Sequence, residues 1–514
     1  MQLAPSTIQQ SAQQACYFHQ QQQFAQAWAK FSVLPYEELT RLNIAGQAAD
    51  SAYRVGQLEA AETLFNLALV DLRVQDPRAL SYRFNLALIY FQWQQWTLCI
   101  DALSKVQRAN PAHQRSAELL TQVRLLRGTN KDIKLALVAL KQQLKKDPLN
   151  RKALQLWAET RWLQNESDWS GPYDVALQVP GHETILVDYI QKLTSLNLLQ
   201  QAQEVLTSYG GKGTEQASSP YYQYCTALLC YQQGRPVDAQ SWLAKLPSAW
   251  LASYAIGELR IKVLLANGET DTALRLARDR VEASPGKRVE QGDWALLATA
   301  LKFSQCYDEY RRLYDFDRFV RVMPIECPPG YDSLDEFHQS LISQIDSLHR
   351  DKNHPLNQSL RSGSQTQGHL FRQGLSDVEA LENAIRQQLT QYIEDLADDS
   401  EHPFLSRKAK EILFTGAWSV KLREQGFHQN HFHNEGWISG CYYVQIPNAV
   451  EKEGQGWIKF GQIESVQTIT DTADFMVRPR AGHVVFFPSY MWHGTQAFTD
   501  NNFRITVAFD LIPG

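Results

Sequence analysis

The apolar positions of this chain change period once. From about residue 6 to 310 they recur every three to four residues, the spacing of one face of an α-helix, in block after block. Beyond Glu411 the runs are short and alternate: Gly416-Ala-Trp-Ser-Val-Lys-Leu422, Gly440-Cys-Tyr-Tyr-Val-Gln-Ile446, Gly456-Trp-Ile-Lys-Phe460, His483 to Phe487 and Phe503 to Leu511. Period two between turn residues is the mark of half-buried strands. The helical period stops at Met323-Pro-Ile-Glu-Cys-Pro-Pro-Gly330, and two further helices are predicted before the strands, Leu334–Leu348 and Asp377–Leu396. The pattern therefore predicts an all-α region over 1–322 and a β-rich region with leading helices over 323–514.

Inside the helical region the pattern repeats. The Gln-rich opening, Gln9 to Gln23, is broken by Tyr17, Phe18, Phe24 and Trp28 at helical spacing, which predicts a first amphipathic helix. Asp76-Pro77, Asn110-Pro111 and Asp147-Pro148 are expected to end successive helices, at separations of 34 and 37 residues. A Gly is followed five residues on by Ala at Gly56/Ala61, Gly234/Ala239 and Gly268/Ala273, and Phe65 and Leu243 follow four later. Trp96, Cys99 and Leu103 keep the frame in between. A small residue lets two antiparallel helices approach and a bulky one fills the groove. This region resembles tetratricopeptide repeats over about 20–310, with degenerate units around 165–220, where Asn165–Pro172 and Gly210–Pro220 read as loops. Such units stack into a solenoid with a concave surface, because one helix pair cannot bury its apolar side alone.

Composition narrows the class. The chain has 514 residues, more than one core usually organises, with 44% hydrophobic and 11% aromatic residues. A net charge of −5 gives no electrostatic case for nucleic acid or an anionic membrane. Met-Gln-Leu-Ala-Pro-Ser lacks the basic start and apolar block of a signal peptide, and no run approaches the length of a membrane span, so a cytoplasmic protein is expected. Seven scattered cysteines without CxxC spacing read as reduced packing residues. Ten of the thirteen histidines lie at 338 or later, which concentrates the chemistry in the C-terminal part.

His431 and His433 stand two apart ahead of the strand-like run Trp437–Ile446, so on extended backbone both imidazoles face one side. His493 follows the run Val484–Pro488, and Arg504 follows eleven residues later in a strand whose Arg504, Thr506, Ala508 and Asp510 share a face. His428 and His483 read as ordinary polar residues. A face of three protein ligands leaves positions open for a cosubstrate and O₂, and Arg offers a planar, permanently charged fork for a distant carboxylate.

These residues, with Gly436-Trp-Ile-Ser-Gly440 and Tyr442-Tyr443 between them, resemble the 2-oxoglutarate/Fe(II) dioxygenases, in the bacterial branch where a tetratricopeptide region precedes the oxygenase domain. The resemblance implies a two-sheet, cupin-like jelly roll (a double-stranded β-helix) and the cofactors Fe(II) and 2-oxoglutarate. It implies His431, His433 and His493 as metal ligands, with Arg504 and Thr506, in the Arg-x-Thr element, on the cosubstrate carboxylate. By the same resemblance Tyr443 helps hold that carboxylate, and Arg361 and Gln365 of Pro355–Thr366 face the site. The superfamily usually carries an acid where His433 stands, so His433-Asn-Glu435 is an alternative register, with Glu435 as a ligand. Three histidines also suit a catalytic zinc hydrolase, and a scaffold with a relic oxygenase fold is a third reading. The solenoid is expected to present a protein or peptide substrate or to mediate self-assembly, and a fragment starting near Pro324 to fold alone.

Overall fold

The computed structural model describes residues 5–70, 72–211, 214–251, 253–283, 291–356, 358–463 and 470–514. The chain forms two compact units, Met1–Gln142 and Gln143–Gly514. Both are helical at their start, and only the second carries sheets among the described residues.

The helices pair through one recurrent turn. A residue with left-handed backbone stands two positions before the next helix at Gln22, Gly56, Gln94, Asn197, Gly234, Gly268 and Gln305. Glycine adopts that conformation without strain, whereas Gln and Asn hold it only because the packed helices on either side fix it. Five residues after each turn residue lies a closely buried position: Ala27, Ala61, Cys99, Ala202, Ala239, Ala273 and Tyr310. The Gly/Ala spacing seen in three units is thus the visible part of a repeat that recurs at these turns, and Asn43/Ala48 and Gly181/Leu186 follow it too. Asp76-Pro77 does not end a helix; it begins one, Pro77–Gln92, with Asp76 accepting from the Arg78 amide at 2.8 Å. Pro is tolerated there because the first helical amide needs no partner within the helix. Asn110-Pro111 and Asp147-Pro148 do follow helices, Trp96–Ala109 and Asn130–Lys146. Part of each expected loop at 165–172 and 210–220 is helical, Gly171–Ala176 and Thr214–Ser218, and 212–213 lie outside the described residues.

Among the described residues the second unit ends in nine strands: β1 Arg321–Pro324, β2 Leu360–Gln365, β3 Ile412–His428, β4 Ile438–Gln445, β5 Ile458–Phe460, β6 Phe475–Val477, β7 His483–Pro488, β8 His493–Thr495 and β9 Arg504–Pro513. They form a six-stranded antiparallel sheet, β1-β7-β4-β9-β3-β2, and a three-stranded one, β6-β5-β8. Phe460 and His493 of the smaller sheet meet Phe487 of the larger at ring separations of 5.1 and 4.6 Å, so the two sheets face each other in the jelly-roll manner. β2 lies within the segment 355–366, and pairing with the long β3 satisfies its backbone.

The helices Leu334–Asp346 and Ser376–Asp395 pack against the larger sheet, the latter stacking Tyr392 on Phe486 at 5.3 Å. A single hydrophobic cluster runs from Ile261, Ala273 and Leu297 through Tyr314 to Tyr442, Val485 and Leu511. The change of fold type at 322/323 is therefore not a break in the core. No described helix is long and apolar enough to cross a membrane.

Candidate metal centre

His431, His433 and His493 each offer a ring nitrogen, and these nitrogens all lie within 4.8 Å of one another. The backbone brings them together. His431 and His493 exchange both amide hydrogen bonds at 2.8 Å in an isolated antiparallel bridge, and the His433 amide donates to Ser489 O at 2.9 Å. The extended pair read from the sequence is thus pinned on two sides by the segment around β8, and the imidazoles of residues i and i+2 point the same way.

Every ring is also oriented from behind. Nδ1 of His431 lies 2.8 Å from Gln429 O, Nδ1 of His493 2.9 Å from Met491 O, and Nδ1 of His433 2.5 Å from Asp510 Oδ2. Each acceptor requires the proton on Nδ1, which leaves Nε2 with a free lone pair. The Nε2 atoms of His431 and His433 are 3.2 Å apart, so these lone pairs converge. Burial, then the neighbouring His433, pushes His431 down to about 3, and burial with His431 beside it holds His493 well below the ordinary range. Both are neutral at physiological pH, the state a ligand needs. Burial also works against protonated His433, but Asp510 outweighs it and raises the ring.

Asp510 belongs to the strand face that the alternation assigned to Arg504 and Thr506. Its meeting with His433 was not legible, because the partners are 77 residues apart. Its second oxygen accepts from Ser439 Oγ at 2.6 Å, and Ser439 in turn meets Ser489 Oγ at 2.9 Å. Trp418 stacks on the His433 ring at 6.2 Å. Glu435 is exposed and stands outside the histidine cluster.

Along β9 the same face carries Arg504 and Thr506, each 1% exposed. Thr506 pairs across the sheet with Val420 on one side and Tyr443 on the other. The Arg504 guanidinium lies over the Tyr443 ring at 5.1 Å, and its Nε and Nη2, like the Tyr443 hydroxyl, are buried without a hydrogen-bond partner. A buried, unpaired guanidinium is costly, and a carboxylate is the group that fits it. His428 is not part of the histidine cluster, and it is a hydrogen-bonded polar residue as the sequence suggested. It is half-buried, its Nδ1 is 3.0 Å from Ser359 Oγ, and that hydroxyl is 3.3 Å from Nε2 of His431. Arg361 donates to Ser195 O at 2.8 Å and to Gln429 Oε1 at 2.5 Å and is not among the clustered ligands. Gln365 sits opposite Val420 at the end of β2. Trp437 and Trp492 are packing residues with bonded indoles, to Phe404 O and Thr299 Oγ1, both at 2.9 Å.

Residues 416–510 match the family described as "Putative 2OG-Fe(II) oxygenase". The C-terminal part of the chain is a 2OG-Fe(II) oxygenase domain, an oxidoreductase domain whose cofactors are Fe(II) and 2-oxoglutarate, and it follows a helical repeat region. The donor set suits them: three imidazoles could hold the iron, and the orphaned Arg504 donors suit the dicarboxylate. No curated protein matches the chain. Among solved structures, a Pseudomonas putida prolyl-4-hydroxylase is similar at 12% identity and a TM-score of 0.27, covering 39% of this chain and 97% of that one. HygX from Streptomyces hygroscopicus, with nickel, 2-oxoglutarate and hygromycin B bound, is similar at 14% identity and a TM-score of 0.24, over 40% and 86% of the two chains. A tetratricopeptide repeat protein from Parabacteroides merdae is similar at 16% identity and a TM-score of 0.27, over 58% and 99%. With TM-scores this low, none of the three bears on the chemistry of this chain.

Proposed function

We propose that this chain is a 2-oxoglutarate-dependent dioxygenase that hydroxylates a protein or peptide side chain, with Fe(II) on His431, His433 and His493. Arg504, Thr506 and Tyr443 hold the distal carboxylate of 2-oxoglutarate. The observation that carries the reading is the pairing of a convergent three-histidine face with a buried guanidinium that has two unsatisfied donors. A zinc hydrolase has no use for that second feature.

Bound iron supplies O₂ activation coupled to decarboxylation of the keto acid, and the chain's own residues set the geometry. The backbone acceptors and Asp510 fix the imidazole tautomers, so the ligands need no reorganisation on binding. Arg504 is sealed under Tyr443, where a charge-assisted hydrogen bond is worth more than in water. The peptide reading is supported by an open groove of about 240 Å³ among the helices Glu183–Ser195, Pro220–Gln232 and Tyr254–Ala266. It is lined by Gln191, Tyr224, Gln232 and Glu258, which can bond a main chain, and by the apolar Leu228 and Leu259. Its wall residue Ser195 is tied through Arg361 to Gln429, whose carbonyl orients His431.

The test is iron stoichiometry in protein prepared without oxygen, with succinate release as the second readout. Ala at 431, 433 or 493 is expected to abolish stoichiometric iron, while His428→Ala and Glu435→Ala keep it. Iron lost with Glu435→Ala and kept with His433→Ala would move the ligand set to the other register and overturn this assignment.

A further inference from the structure

We infer that Asp510 is a positioning residue that supplies, one imidazole away from the metal, the negative charge that a ligand carboxylate would ordinarily bring to such a face. The inference rests on the metal-site reading above. Many open iron faces combine two histidines with one carboxylate. Three neutral imidazoles lack that charge, and a buried divalent cation is less stable for it.

Here the missing carboxylate is present but displaced outward. Asp510 Oδ2 lies 2.5 Å from Nδ1 of His433, whereas the Nδ1 atoms of His431 and His493 meet main-chain carbonyls. Among the described residues, only His433 of the three is backed at Nδ1 by a carboxylate.

The placement is built rather than incidental. Asp510 is fixed by Ser439, which is 1% exposed, and Ser439 by Ser489, which is fully buried. Gly436 leaves room for this arrangement, since a Cβ there would stand 2.2 Å from Ser489 Oγ. Trp418 closes the other side of the His433 ring. A carboxylate on Nδ1–H makes an imidazole a stronger donor through Nε2, and such partners typically change metal affinity by ~10–100-fold. His433 with Asp510 thus acts as one anionic ligand. The position after next from His431 can accept either an acid or a histidine, provided that the histidine brings its own acid.

The experiment is a charge-relocation cycle read by metal affinity, not turnover. Co(II) is titrated into metal-free protein under anaerobic conditions, against a competing chelator, for the wild type, Asp510→Asn, His433→Asp and the double variant. Melting of each metal-free protein reports folding. Asp510→Asn is expected to bind Co(II) ~10–100-fold more weakly. His433→Asp places two carboxylates side by side at the site, and removing the outer one relieves it. The double variant is therefore expected to bind at least about tenfold more tightly than the two single effects multiplied together. Ser439→Ala leaves the carboxylate but frees it to move, and is expected to weaken binding by several-fold; it carries the test if Asp510→Asn does not fold.

Affinity of Asp510→Asn within twofold of wild type, or strictly multiplicative effects in the cycle, would overturn the role of Asp510. Absence of Co(II) binding by the wild type, or its survival in His431→Ala, would instead overturn the metal-site reading, so the two failures are distinguishable.

Discussion

Trp492 donates its indole N–H to Thr299 Oγ1 at 2.9 Å, which fixes the residue before His493 to the helix Gln291–Phe303, 193 positions earlier in the chain. The same layer is bonded throughout. Tyr490 donates to Leu313 O at 2.7 Å, Tyr314 donates to Tyr490 O at 2.9 Å, and the Trp492 amide donates to the Tyr314 hydroxyl at 2.9 Å. Lys302 meets Asp471 and Asp474 at 2.7 and 2.8 Å. The last helices of the region read from the sequence as a detachable recognition surface, Gln291–Phe303 and Tyr307–Leu313, form the back wall of the histidine cluster.

That wall sets the first prediction, and it goes against the expectation that a fragment starting near Pro324 folds alone. Such a fragment exposes Trp492, Tyr490 and the lower half of a continuous core, so it is expected to be insoluble or to hold no iron. A gentler probe is Gly292→Ala. A Cβ there would stand 1.7 Å from the Tyr254 hydroxyl and 2.8 Å from Cε2 of Phe432, the residue between His431 and His433. Overpacking of this kind costs about 1–3 kcal/mol. Calorimetry should show a lower melting temperature, and metal titration a weaker site; unchanged affinity would mean that the helices do not support the ligands.

A second prediction separates stability from function at Arg504. Its two unpaired buried donors penalise the cosubstrate-free protein, so Arg504→Met is expected to raise the melting temperature of the metal-free chain while abolishing 2-oxoglutarate binding. Arg504→Lys replaces a planar fork by a point charge and should weaken 2-oxoglutarate binding by about 1–3 kcal/mol with iron content unchanged. Isothermal titration with 2-oxoglutarate and a redox-inert divalent metal reads both. Unaltered 2-oxoglutarate affinity in the Lys variant would remove the cosubstrate role.

The third prediction concerns pH. The segment before β2 is held to the helix Arg151–Leu163 by Glu159, which accepts from the Leu356 amide at 3.1 and 3.2 Å, and by Trp162 donating to His354 O at 2.7 Å. Burial, partly offset by the Leu356 amide, pushes the Glu159 carboxyl up to about 7. An acid whose folded pKa is raised favours folding while protonated, so its contribution is greatest below the unfolded value and is lost as pH rises toward 7. Glu159→Gln keeps an acceptor without the charge. Its stability relative to wild type should rise between about pH 4.5 and 7 and level off above, by at most roughly 3 kcal/mol. Paired denaturation curves across that range check the slope, and a flat difference would show that Glu159 ionises at no cost.

The sequence by itself determined the order of the two fold types, the strands around the site, and the identities of His431, His433, His493, Arg504, Thr506 and Tyr443 as the residues to watch. The fold order, the strands and the shared face of His431 and His433 are properties of local period, since two residues apart on extended backbone means one face, whatever surrounds it; Thr506 and Tyr443 came from the resemblance to the oxygenases. It also showed the repeat where glycine marks the turn, at Gly56, Gly234 and Gly268, but not where packing imposes the same left-handed backbone on Gln22, Gln94, Asn197 and Gln305. The tertiary structure alone decided the rest. That Asp510 stands behind His433, that Ser359 reaches His431, that Arg361 turns to the helices and that Thr299 anchors Trp492 are pairings between residues 77, 72, 166 and 193 positions apart. Local pattern specifies which way a side chain points. What it meets there depends on sheet register and layer packing, which are fixed only when distant segments bury a common core.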